Sequence, residues 1–307
     1  MGFLLPIVFH PDYQFPLRPN HPFPVSKYGY LRRTLEDRGL FVPGKSLAPA
    51  PLGPAQIELA HDPAYVARAF KLELRAEEVK RIGLPCTERV IRRSRLSSAG
   101  TLIAAWLALE SGIACNAAGG SHHAGPASGA GFCVFNDVAV AIRNLRAQGV
   151  PGPMLVIDAD VHQGDGTARI FADDPSVFTV SLHAQDNYPF DKSSSEMDVP
   201  LPDGADGRAY LAALTATLDS VFEAIAPTLV FYNAGVDVHV DDRLGRLSLS
   251  AEDIRIRDRV VIQRVRSHGI PIVGVLGGGY SNDPELLATL HASLFEEAAA
   301  AQAAFSG

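Results

Sequence analysis

Short apolar, often β-branched runs recur along this chain: Ile7 to Phe9, Ile113 to Asn116, Met154 to Ile157, Val177 to Leu182, Leu229 to Tyr232 and Ile272 to Leu276. Between them lie segments of helical period, at Thr101 to Leu109, Asp137 to Gln148, Gly207 to Ile225 and Ala251 to Ser267. Runs this uniformly apolar fit strands buried on both faces. Alternating with helices, they predict an α/β fold with a parallel sheet and helices on both of its faces. The Ala-rich stretch after Leu290 reads as a closing helix with a frayed end. No repeat or low-complexity block marks a boundary, so residues 1–307 read as one domain, with the Pro-rich stretch Leu47 to Pro54 as a surface loop inside it.

Most of the runs stop at a polar or Gly-rich cluster. Gly119-Gly120-Ser121-His122-His123 follows the second run. Asp158-Ala159-Asp160-Val161-His162-Gln163-Gly164-Asp165-Gly166 follows the third, Asn233-Ala234-Gly235-Val236-Asp237 the fifth and Gly277-Gly278-Gly279-Tyr280 the sixth. In open α/β sheets the ligand site lies beyond the carboxyl ends of the strands, so these clusters are expected to meet in one place.

Asp158, Asp160 and His162 alternate, which on extended backbone puts them on one face. Two carboxylates and an imidazole with no basic residue between them need protons or a cation as compensation. With Asp237 added, Asp160 and His162 form a three-donor set that leaves room for water and a substrate oxygen, as a hydrolytic metal requires. Zinc fits; iron(II), cobalt or manganese also fit so oxygen-rich a set. The metal-free alternative makes Asp165 and Gly166 an ordinary helix cap. The adjacent His122 and His123 are hard to satisfy as packing residues. Asp158 or Asp165 could bond one ring nitrogen of a histidine, fix its tautomer and make it a candidate acid–base group. The triple glycine permits close backbone approach and brings Tyr280 forward as a donor to a tetrahedral oxyanion.

Composition narrows the classes. With 47% hydrophobic and 20% charged residues the chain is globular rather than disordered. A net charge of -7 argues against a nucleic-acid partner, and Arg92-Arg93-Ser94-Arg95 reads as a solvated helix face. Such an acidic protein can accept basic peptides. Cys86, Cys115 and Cys133 are odd in number and form no CxxC pair, which suits a reducing compartment. There is no charged leader. Pro6 stands where a myristoylation signal at Gly2 needs Ser or Thr, and no apolar run is long enough to span a bilayer. A cytoplasmic protein without a membrane partner is expected.

Taken in order, Gly119-Gly120-Ser121-His122-His123-Ala124, Gly131-Phe132-Cys133-Val134-Phe135-Asn136-Asp137, the Asp158 to Gly166 cluster, Ala234-Gly235-Val236-Asp237 and Gly277-Gly278-Gly279-Tyr280 resemble the signatures of the histone deacetylase family, part of the arginase–deacetylase superfamily, and in particular its compact bacterial deacetylase-like members. His21-Pro22-Phe23 and Ser181-Leu182-His183 fit the same pattern, and the resemblance covers nearly the whole chain. It implies the arginase–deacetylase fold and a zinc-dependent amidohydrolase. Such an enzyme uses a metal-activated water to remove an acyl group, commonly acetyl, from acyl-lysine in a peptide or protein, or from a small acylated amine. The zinc ligands implied are Asp160, His162 and Asp237. His122 would be partnered by Asp158 and His123 by Asp165, and Tyr280 would polarise the acyl carbonyl. Phe132 and Tyr188, with Gly131 and Gly278, would contact substrate. A structural potassium would be held by Asp158, Asp160, His162, Ser181 and Leu182, and a second by Phe171, Asp174 and Val177.

The sequence departs from the family at two places. Gly83 falls where well-studied members carry a rim aspartate, and the loop from Ala184 to Met197 differs from the eukaryotic enzymes. Three rivals remain. An acylpolyamine amidohydrolase would be favoured by a carboxylate at the tunnel mouth. An arginase-like ureohydrolase needs two metals and more bridging carboxylates, and a non-catalytic acyl-binding protein should have lost a ligand or Tyr280. The acyl chain and the oligomeric state are not legible in the sequence.

Overall fold

The computed structural model describes residues 4–42 and 46–305, so the Gly2 reading lies outside the described residues. In chain order the elements are β1 (Ile7–Val8), α1 (Lys27–Asp37), α2 (Pro54–Ile57), α3 (Pro63–Phe70), α4 (Ala76–Ile82), α5 (Glu88–Ser111), β2 (Ile113–Asn116), α6 (Asp137–Ala147), β3 (Met154–Asp158) and α7 (Asp165–Phe171). Then follow β4 (Val177–Ala184), β5 (Met197–Leu201), α8 (Gly207–Ala224), β6 (Leu229–Asn233), α9 (Ala251–Ser267), β7 (Ile272–Val275) and α10 (Pro284–Phe305). All the apolar runs seen in the sequence are strands, and the sheet is wholly parallel in the order β1-β2-β7-β6-β3-β4-β5. Every residue of β2, β3, β6 and β7 is buried, as two-sided helix cover demands. One row of helices, α1-α10-α9-α8, packs in that order; α5 and α6 pack together as a second group.

Polar side chains start the long helices. Thr87 accepts from the Val90 N–H, Asn136 from Ala139, Asp206 from Ala209, and Ser250 forms a capping box with Asp253. Because all strands point the same way, the segments after β2, β3, β6 and β7 emerge on one side of the sheet.

Two expectations need correction. Helix α5 begins at Glu88, well before Thr101, because its first half packs through Ser94, Ser97, Ser98 and Gly100, small residues that give no apolar period. The arginines on it are not a solvated face. Arg93 is buried and donates to the Tyr28 hydroxyl, Arg92 pairs with Asp12, and Arg95 donates to the Leu52 carbonyl. The edge strand β5 and helices α1 to α4 were not predicted from the sequence. Among the described residues no helix is long and apolar enough to cross a membrane.

Candidate functional site

The loop after β2 is fixed by Asp137, whose carboxylate accepts from the N–H groups of Gly120 (3.2 Å) and Ser121 (2.7 Å) and from the Thr101 hydroxyl (2.6 Å). That anchoring presents His122 and His123 with ring centroids 4.1 Å apart. Nδ1 of His122 lies 2.6 Å from Asp158, and Nδ1 of His123 lies 2.6 Å from Asp165. Both rings therefore turn Nε2 away from their aspartates, the His122 Nε2 lying 3.7 Å from Asp160. Asp158 takes a second hydrogen bond from Asn233 (2.8 Å), and Asp165 an ion pair from Arg169 (2.7 Å). Asp165 is thus no cap: Gly164 holds that position and the carboxylate is spent on His123 and Arg169. The two environments push the histidines apart. Burial opposes charge on His122, but Asp158 and Asp160 outweigh it and hold the ring up at about 9. Burial and the neighbouring His122 push His123 down to about 4, against the pull of Asp165.

Asp160, His162 and Asp237 are buried, with one donor atom from each lying within 4.8 Å of the others. His162 Nδ1 is 3.1 Å from both Asp160 Oδ1 and Asp237 Oδ2. The convergence does not come from an extended strand, since β3 ends at Asp158. Backbone donors aim the carboxylates instead: Gly278 N–H donates to Asp160 (2.7 Å) and Val161 N–H to Asp237 (2.9 Å). Gly278 has to be glycine here, because a β-carbon would overlap the Asp237 carboxylate. Behind the set, the buried Arg257 donates to the carbonyls of Ala159 (3.2 Å), Ala234 (3.3 Å) and Gly235 (2.5 Å), tying the two ligand-bearing loops together. Asp258 balances its charge at 2.8 Å.

These donors fit a divalent cation. Two carboxylates buried this close repel each other: burial and the charge of Asp160 push Asp237 up to about 7. His162 is held up near 10 by the same two carboxylates, against the effect of burial. A cation relieves both strains.

Tyr280 stands opposite, its ring centroid 6.1 Å from His162 and 5.8 Å from Phe132. Its N–H donates to Asp242 (2.7 Å), a carboxylate that also accepts from Leu244 and Gly245 (2.9 Å each). Burial, Asp160 and Asp237 keep the phenol protonated by pushing its pKa well up. Phe132, Gly131, Tyr188, His123, His162 and Tyr280 all line one cavity of about 360 Å³ that opens to solvent. Tyr188 packs edge-on to His123 at 4.8 Å and lines the same cavity as Phe132. Phe132 holds a left-handed backbone (φ 65), and its N–H donates to the Ile82 carbonyl at the end of α4 (2.7 Å). Gly83, where the family's rim aspartate was sought, caps α4 with φ 74. A β-carbon there would come within 3.1 Å of the Phe132 ring.

Of the residues matched to the nearer potassium, Ser181 and Leu182 sit on β4 beside β3, Ser181 opposite Asp158 in register. For the second, the Asp174 side chain is committed to Arg143 and Ser176. Several contributors gave no sequence signal. Asn233 closed a flagged cluster without an assigned role. Lys27 is fully buried and donates to the Gly277 carbonyl (3.2 Å). Burial pulls its pKa down to about 8 although Asp237, Asp160 and Asp242 favour its charge. With Arg93 it supplies buried positive charge near a small inner cavity of about 30 Å³ lined by Arg93, Ser121, Gly277 and Tyr280.

The pattern of the histone deacetylase domain matches residues 21–296. An uncharacterised protein of Picosynechococcus sp. is 42% identical over 97% of this chain and 99% of its own length. Histone deacetylase 2 of Arabidopsis thaliana is 32% identical, covering 85% of this chain and 70% of its own. The crystal structure of a histone deacetylase homologue from Aquifex aeolicus superimposes with a TM-score of 0.79 at 26% identity, over 95% of this chain and 84% of the other.

Proposed function

The chain belongs to the histone deacetylase domain family, and from that premise we propose that it is a zinc-dependent deacylase that hydrolyses the amide of an acyl-lysine. The observation that carries the reading is convergence. Asp160, His162 and Asp237 lie together with two aspartate-supported histidines beside them, and His123, His162 and Tyr280 line one cavity. Phe132 and Tyr188 both line the cavity and give it apolar ring surface, which suits the methylene stem of a lysine.

Asp160, His162 and Asp237 would hold the cation, which supplies Lewis acidity that acidifies water and polarises a carbonyl. Tyr280, protonated and buried, donates to the substrate carbonyl and more strongly to the oxyanion that develops from it. His123, whose Nδ1 faces Asp165, is held neutral, so its Nε2 can take a proton from the attacking water and return it to the leaving amine. His122, positive beside Asp158, contributes charge rather than a base. Asn233 and Arg169 fix the two aspartates and so the two rings. A potassium at Asp158, Asp160, His162, Ser181 and Leu182 would brace the same segment.

A panel of fluorogenic acyl-lysine peptides and acetylated polyamines, assayed with and without chelator, tests the reading. Chelator-sensitive release from acyl-lysine supports it. Turnover that survives exhaustive chelation, or elemental analysis showing full metal content in Asp237→Ala, removes its basis.

A further inference from the structure

The tunnel mouth carries unspent positive charge. Lys80 and Arg81, in the last turn of α4, are exposed and line the opening of the tunnel. Neither makes an ion pair or a side-chain hydrogen bond among the described residues, and the positive charge of Arg81 acts on the Tyr188 hydroxyl across the opening. A helix end often carries basic residues because its last carbonyls favour them. Here the Arg81 and Ile82 carbonyls already accept from the N–H groups of Gly131 (3.1 Å) and Phe132 (2.7 Å).

Most neighbouring carboxylates are committed elsewhere: Glu78 to Arg68 and Arg75, Glu77 to Arg75, Asp165 to Arg169, and Asp242 to three backbone N–H groups, while the exposed Asp186, just before Asn187, has Lys192 as its charged neighbour. Among the described residues no Asp or Glu lines the tunnel opening, and Leu244 lines it together with the two cations. A groove that shares Gly83 with the opening adds Arg18 and His21 and again no carboxylate. In a chain of net charge -7 this local inversion of sign is not inherited from bulk composition.

Resting on the deacylase reading above, we propose that Lys80 and Arg81 determine specificity: the substrate carries a carboxylate at the outer end of the stem that bears the acylated amine, just outside the tunnel. Acylated polyamines, which hold protonated amines at that distance, are repelled. Two sources can present such a carboxylate, namely the α-carboxylate of free Nε-acyl-lysine and an acidic residue flanking acyl-lysine in a peptide.

The test compares acetyl-lysine peptides with Asp, Ala or Lys on each side, free Nε-acetyl-lysine against its α-carboxamide, and an acetylated polyamine. Opposite charges about 6 Å apart in water favour association about threefold, and like charges disfavour it equally. The Asp-flanked peptide should therefore exceed the Lys-flanked one about tenfold in kcat/KM at low salt. The ratio should shrink in high salt and invert in the Lys80→Glu/Arg81→Glu double variant. Because the ratio is taken within one preparation, partial misfolding cancels. Preference confined to the free amino acid assigns the carboxylate to a small molecule; preference among peptides assigns it to a flanking residue. Equal rates for Asp- and Lys-flanked peptides and for acid and amide, or a ratio unmoved by the double variant, overturns the proposal, as does a polyamine that outruns them all. Calorimetric binding of the same pairs reads the rim without the chemistry. Unequal binding with no turnover of any substrate strikes the deacylase reading alone, while equal binding strikes the charge assignment.

Discussion

Replacing Tyr280 by Phe removes one oxygen atom and should separate catalysis from structure. The ring packs against Phe132 and His162, contacts that Phe retains. The hydroxyl makes no hydrogen bond among the described residues, so deleting it leaves no protein group unpaired and the melting temperature should move by less than about 2 °C. The backbone N–H to Asp242 persists, so the loop stays in place. What is lost is a donor to the oxyanion, worth about 3–4 kcal/mol. At about 1.4 kcal/mol per tenfold, kcat should fall roughly 140- to 700-fold. KM should change little, because a neutral carbonyl gains far less from the donor than the charged oxygen does. Steady-state kinetics on an acyl-lysine peptide, alongside metal content and thermal melting, read all of this. A kcat within threefold of the parent enzyme, at full metal occupancy and unchanged melting, would refute the oxyanion role.

Gly278→Ala should strip metal without touching a ligand, because the added methyl displaces Asp237 and crowds Asp160; elemental analysis should show occupancy well below the parent's. Arg257→Ala should destabilise the protein by about 3–5 kcal/mol in urea, since it leaves Asp258 and the Ala159, Ala234 and Gly235 carbonyls without their buried partner; an unchanged midpoint would show that the loops hold themselves. Glu78 is buried between Arg68 and Arg75. Burial raises its pKa, but the two guanidiniums and the Arg75 N–H outweigh it and hold the carboxyl down to about 2. Its contribution to stability is therefore complete above the ordinary 4.5 and fades as pH falls toward 2. Denaturation midpoints between pH 5 and 3 should drop more steeply in the parent than in Glu78→Gln.

The centre of this molecule was legible because its strands are short, wholly buried and followed by polar clusters. Asp160, His162, Asp237, His122, His123 and Tyr280 all stand just beyond such strands. What supports them was not. Arg93 and Lys27 look like surface cations in sequence, and only packing shows that both are buried, Arg93 against the Tyr28 hydroxyl and Lys27 against the Gly277 carbonyl. Helix α5 was half seen because its close-packed Ser and Gly residues bury themselves without an apolar stripe. Asp158, Asp160 and His162 were expected on extended backbone, yet they meet through side-chain and N–H contacts from Asn233, Gly278 and Asp237, residues 75 or more positions away that no local pattern can reveal.

Strand β7 is the keystone of the sheet: it sits between β2 and β6, joining the pair formed early in the chain to the four strands formed later. During synthesis, β2 must wait with one edge bare for more than half the chain to leave the ribosome. Until then the two half-sheets have no common border, and Asp160 and Asp237, in the segments after β3 and β6, lack the Gly278 they pack against. A nascent chain halted before β7 would hold neither a continuous core nor a pocket. Pausing translation between β2 and β7 prolongs that exposure and should therefore lower the yield of active protein.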